Sequence, residues 1–259
     1  MNKIIIKLSA LCIICALFFT VKSCKKPEIN KLDSLQLDEQ EQVQEPLTRS
    51  GKIGWTYPIR PGMAEWRQFT TGRQMWEACQ IPQNILETLS TEELAEICFD
   101  FPLYFNYTAF DNERLGINYV INNFNGLKEL SKRNDGAKEL VNIYKRCPVS
   151  PRDENFAIFK PSYLELLLSN DAFIKQLDDR MYDELEKIVL EKYMGKLENP
   201  QVYGLYSINH TFLLGAVVIV NSNSAKKFVQ QGTARRFIDN YNKYDPQLLS
   251  EISRIISGL

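Results

Sequence analysis

Residues 90–101 read STEELAEICFDF, and this short stretch decides the fold class. Ser90 followed three residues on by Glu93 is a capping-box pattern, in which each side chain satisfies a backbone N–H that the first helical turn leaves unpaired. Leu94, Ile97, Cys98 and Phe101 then fall on one face of a 3.6-residue period. Pro102 disfavours helical geometry at the residue before it and predicts a stop there.

The same spacing recurs outward in both directions. Ile117, Val120, Ile121 and Phe124 form a second stripe, and Ala137, Leu140, Val141 and Tyr144 a third, with Gly126, Asn134 and Gly136 as punctuation. Three short helices about twenty residues apart suggest stacked helical hairpins, repeat-like in period rather than in residue identity. Beyond Cys147-Pro148-Val149-Ser150-Pro151, a predicted boundary, Tyr163–Leu168 is strongly apolar. Met181, Leu185, Ile188, Val189 and Tyr193 make another stripe, with Gly195 as its expected end. Leu213 to Val220 is an unbroken apolar run. A buried strand would fit it, but with no partner strand visible it reads as the central helix of the C-terminal half. Asp245-Pro246 starts a last helix carrying Leu248, Leu249, Ile252, Ile255 and Ile256. The expected fold is all-α, an array or irregular bundle of short amphipathic hairpins, with subdomains over 55–147 and 148–259.

The N-terminus carries a different signal. Lys3 and Lys7 precede an apolar segment from Leu8 to Val21, too short for a confident span of about 20 residues but the size of a signal-peptide core. It ends in Val21-Lys22-Ser23-Cys24, which resembles the lipobox of bacterial lipoproteins, with Cys24 as the acylated residue. Lys22 stands where such motifs carry a small residue, so an uncleaved anchor or an ordinary secretory signal is the alternative. Residues 1–23 are thus read as signal and Cys24 as the point of membrane attachment. At about 0.8 kcal/mol per buried CH₂, more than one acyl chain holds a domain on a bilayer without a membrane-spanning helix. Residues 24–54 lack aromatics and are rich in Gln, Glu, Asp and Lys, which predicts a disordered tether with a reach of roughly 30 Å. Lys25 and Lys26 are basic rather than acidic, unlike surface-export tags, which favours a periplasm-facing location.

The segment GWTYPIRPGMAEW (54–66) opens the folded part. All three tryptophans, Trp55, Trp66 and Trp76, lie in or just after it, with Tyr57 between the first two. Either these rings form an exposed platform that binds a ligand such as a glycan, or the arm is extended and its rings fill a groove in the helical body. The second is favoured, because exposed clusters of large aromatics are costly in a monomer.

Catalytic motifs are largely absent from the sequence. With 259 residues, 44% hydrophobic, 24% charged and a formal net charge of −1, nothing draws the chain to nucleic acid. His210 is the only histidine, which excludes multi-histidine metal sites and leaves a single candidate for any histidine base. A lone helical histidine is more often a structural or surface residue. Cys79, Cys98 and Cys147 remain for the folded part, an odd number that allows at most one disulfide, and Cys98 on an apolar stripe reads as a buried free thiol. The acidic run Asp178–Glu184 lacks the glycine of a calcium loop and alternates with Arg180 and Lys187, as on a solvated helix face. Gly232-Thr233-Ala234-Arg235-Arg236 would place two guanidiniums at a helix start, but without any phosphate-binding motif. No catalytic residue, cofactor or metal ligand is assigned.

QIPQNILETLSTEELAEIC (80–98), FPLYFNYTAF (101–110) and NNFNGLKELSKR (122–133) resemble a group of uncharacterised bacterial cell-envelope lipoproteins, over roughly Trp66–Cys147. The resemblance implies export and a membrane-anchored helical domain, and supplies no mechanism. The leading functional expectation is a non-enzymatic lipoprotein of the bacterial cell envelope that binds a protein or peptide partner. The alternatives are a glycan-binding protein using Trp55, Tyr57, Trp66 and Trp76, or an envelope enzyme whose site is assembled from scattered residues.

Overall fold

The computed structural model describes residues 54–149, 154–222 and 228–259. The expected signal, Cys24 and the tether lie outside them. The described residues fall within one compact unit. It is all-α: the described residues form helices and 3₁₀ turns and no strand.

The helices are α1 (Gly72–Ala78), α2 (Gln83–Leu86), α3 (Thr91–Phe99), α4 (Glu113–Asn123), α5 (Asn125–Leu130) and α6 (Gly136–Arg146) in the first half. There follow α7 (Glu154–Leu168), α8 (Asp171–Ile174), α9 (Asp179–Glu198), α10 (Pro200–Asn221), α11 (Phe228–Asp239) and α12 (Pro246–Ile256). A 3₁₀ segment, Tyr104–Ala109, precedes α4. Several starts follow from caps that local sequence encodes. Ser90 and Glu93 form the predicted capping box of α3. Asn112, Asp178 and Asp245 accept backbone N–H bonds at the starts of α4, α9 and α12. Asp178, in the acidic run, is therefore a cap, and Glu184 meets Lys145 at 2.7 Å.

The predicted stripes point inward. Leu94, Ile97, Cys98 and Phe101, then Ile117, Val120, Ile121 and Phe124, then Ala137, Leu140, Val141 and Tyr144 are all buried in one continuous core. α10 is the central helix of the C-terminal half, packed against α7, α9 and α11. It is long and apolar enough to cross a membrane by composition, but 72% of that apolar window is buried inside the protein, as in a core helix. The apolar run Leu213–Val220 is accordingly helix and not strand.

Three boundaries differ from expectation: at Gly195 and Gly126 close packing outweighs a glycine's helix cost of about 1 kcal/mol, whereas Gly232 is exposed and is carried within a continuing helix. α9 runs past Gly195 to Glu198, where a hypothetical Cβ on Gly195 would come within 2.7 Å of Val149. Gly126 lies inside α5 against the ring of Phe124. α11 passes through Gly232, so the Gly232–Arg236 stretch is mid-helix and offers no helix N-terminus. Arg236 there pairs with Glu251 of α12.

The aromatic arm behaves as a plug. Tyr57 is buried, donates its hydroxyl hydrogen to the Ile97 carbonyl at 2.9 Å and packs beside Phe101 and Phe124, which are stacked at 4.2 Å. Trp55, Trp66 and Trp76 are half-buried against the same core.

Candidate functional site

Two polar clusters interrupt this apolar interior, both hung on α10. The deeper one joins three helices. Glu165 of α7 sits in the run YLELLL, where helix geometry turns it onto the face that meets α9 and α10. Lys196 of α9 reaches both its oxygens, at 2.8 and 2.9 Å, and also donates to Thr211 Oγ1 at 2.8 Å and the Ser207 carbonyl at 3.0 Å. Tyr144 and Thr211 each donate to Glu165 Oε1, at 2.7 and 2.8 Å. Burial pushes the Lys196 ammonium's pKa down, and Glu165 opposes that shift. Both charges are fully enclosed, so the network fixes the register of α7, α9 and α10 and offers no access to a ligand.

The second cluster lies at the surface. Gly204 has φ +53° and ψ −173°, a conformation restricted to glycine, and kinks α10 after its first turn. The kink leaves Leu205 and Tyr206 exposed at the head of the main helix, with Asn209 and His210 one turn on. Gly116 lets α4 close on the preceding 3₁₀ segment: a Cβ there would lie 2.3 Å from the Tyr107 carbonyl oxygen. That contact brings Glu113, in the first turn of α4, against α10.

His210 Nε2 lies 2.9 Å from Glu113 Oε2, and the Tyr241 hydroxyl donates to the same oxygen at 3.1 Å. A carboxylate only accepts, so Nε2 carries the proton. Burial raises the Glu113 pKa, but hydrogen bonds from His210, Tyr206 and Tyr241 outweigh it and hold the carboxyl below its ordinary range. Burial and the neighbouring carboxylate push the Tyr206 and Tyr241 phenols upward, so both stay protonated.

These groups floor a cleft of about 400 Å³ between α4, α10 and the 240–245 connection. Its walls carry Phe110, Tyr206, Tyr241 and Tyr244; its polar groups are Asp111, Glu113, Asn209, Asn240, Asn242, Lys243 and Asp245. The Asn209 Oδ1 atom is buried without a hydrogen-bond partner. Among the described residues no serine, threonine, cysteine or histidine lines the cleft; His210 stands behind Glu113.

A second cleft of about 500 Å³ lies between α1 and α4, lined by Arg73, Trp76, Gln80, Tyr119 and Asn123 among others. Ring contacts join the two: Trp76 meets Tyr119 at 5.6 Å, and Tyr119 meets Phe110 at 5.3 Å.

No protein-family model, curated protein or solved structure matches this chain.

The residues singled out from sequence are thus dispersed. Trp55 stacks edge-on against Tyr57 and Trp66 against Phe69, while Trp76 lines the second cleft. They form no common platform. Cys79, Cys98 and Cys147 are free and buried. Burial raises all three thiols, Cys79 and Cys147 to about 12, so none is a ready nucleophile. His210 was visible as a candidate, but its partner Glu113 lies far away in sequence. Asn209, Tyr241 and the loop NYNKY (240–244) carry no motif; the signal they hold is a dense run of amide and aromatic residues next to a helix cap.

Proposed function

We propose that this chain is an exported lipoprotein of the bacterial cell envelope, anchored through Cys24 and facing the periplasm, whose helical body binds an extended peptide segment of a partner protein. The observation that carries the reading is the pair of clefts joined through Trp76, Tyr119 and Phe110. Concave surface with aromatic walls and a few convergent polar groups is the usual form of a ligand site. An elongated track suits a chain, which can set alternate side chains into successive hollows. Binding is favoured over catalysis because the described residues lining the cleft include no serine, threonine or cysteine and the neighbouring histidine is turned to a carboxylate behind the wall.

The test is binding of fluorescent peptide pools and of soluble chito-oligosaccharides to the full-length protein in mild detergent. Saturable peptide binding lost on Tyr119→Ala supports the reading. Oligosaccharide binding with no peptide binding would overturn it in favour of glycan recognition.

A further inference from the structure

The chemistry of the cleft beside α10 goes further than a preference for chains. Glu113 is ionised, yet its side chain keeps 18% of its surface exposed, so the carboxylate is reachable from the cleft. Asp111 and Asp245 line the same cleft, and the one ammonium there among the described residues, Lys243, is turned onto Asn240 Oδ1 at 3.2 Å. Asp245 Oδ1 caps α12 by accepting from the Leu248 N–H at 3.0 Å. Asn209 lines the same wall and adds a neutral amide, not a competing charge. A ligand that completes this set must bring donors and positive charge.

The rings point the same way. Tyr241 donates its hydroxyl hydrogen to Glu113 and Tyr206 lines the same cleft, which sets aromatic surface beside the carboxylate. Tyr244, 76% exposed, stands at the rim. A cation between an anionic floor and aromatic faces is stabilised by both. Guanidinium fits best: it is donor-only, planar, weakly hydrated, able to fork onto a carboxylate and to stack on a ring.

We infer that this cleft is a receptor for a basic side chain, arginine ahead of lysine, which seats on Glu113 beside the tyrosine rings. The inference rests on the peptide-binding reading above. The peptide's backbone would then run from this anchor towards the Phe110–Tyr119 ring pair.

The experiment is fluorescence polarisation of the full-length protein in mild detergent, with labelled pentapeptides that differ only at a central residue: arginine, lysine, its neutral isostere citrulline, or leucine. The expected order is arginine, then lysine, with citrulline and leucine far weaker, and binding that falls as salt rises. Glu113→Gln should weaken the arginine peptide about thirty-fold or more, as expected when one partner of a desolvated charge pair is removed. Because Glu113 also braces α4, the exposed rim variant Tyr244→Ala serves as a second probe and should weaken the same peptide without loss of fold. Equal binding of the arginine, citrulline and leucine peptides would overturn the inference while leaving the peptide reading standing. No binding by any peptide, with oligosaccharide binding instead, would overturn both.

Discussion

His210 and Glu113 lie 97 residues apart in the chain and 2.9 Å apart in the fold, and their contact ties α10 to the start of α4. His210 is completely buried, so its removal costs a charge-assisted hydrogen bond and leaves a cavity. His210→Ala is expected to destabilise the protein by about 2–4 kcal/mol. Urea unfolding measures this directly. An unchanged midpoint and slope would mean that the contact is incidental.

The same carboxylate gives stability a defined pH dependence. The folded pKa of Glu113 is depressed below 4.5, so its contribution is fully present above that pH. It is lost as pH falls through the folded value, because the native state must then take up a proton that the unfolded state has already bound. The stability gap between the wild type and Glu113→Gln should therefore be constant from about pH 5 to 7 and shrink below about 4.5. Denaturant midpoints across that range are the check. A gap that ignores pH would show that Glu113 gains nothing from its donors.

In the deeper network, Glu165 and Lys196 are buried against one another at 2.8 Å. Removing one leaves the other charge uncompensated, so Glu165→Leu or Lys196→Met alone should cost about 3–5 kcal/mol. The double variant should cost much less than the sum, since a well-packed apolar pair can replace an enclosed ion pair. Simple additivity in a double-mutant cycle would contradict this account.

Gly204 sets the kink that exposes Tyr206. With nothing within 4 Å of a hypothetical Cβ, any cost of Gly204→Ala comes from the backbone alone. That substitution should destabilise by about 1–3 kcal/mol. It should also weaken peptide binding, because straightening the helix moves Leu205 and Tyr206. A stable variant with unchanged binding would remove the kink from the account.

Much of the fold was legible because it depends on local information. The Ser90–Glu93 box and the Asp245-Pro246 start are local hydrogen-bond chemistry, and the stripes through Ile97, Val120 and Leu140 are periodicity. The three glycines misread as breaks, Gly126, Gly195 and Gly232, lie where tertiary packing or a continuing helix overrules propensity. The polar interior was not legible in the same way. Glu165 within YLELLL was a lone carboxylate in an apolar run, a visible anomaly, but nothing local couples it to Lys196 or Tyr144. The cleft depends on Gly204 adopting a positive φ and on α4 meeting α10, neither of which a hydropathy pattern encodes.

The anchoring reading has its own check. Cys24→Ala should move the protein from the membrane fraction to the soluble fraction of cells. Retention in the membrane would indicate an uncleaved apolar anchor.

The most direct test of the central claim is site-specific photo-crosslinking in living cells. A photoreactive residue replaces Tyr244 at the cleft rim in one variant and Lys138, exposed on α6, in another. The account predicts one dominant protein adduct from position 244, mapped by mass spectrometry to a segment with a basic residue, absent from position 138 and diminished by Glu113→Gln. Adducts identical at the two positions, or none from position 244, would contradict it.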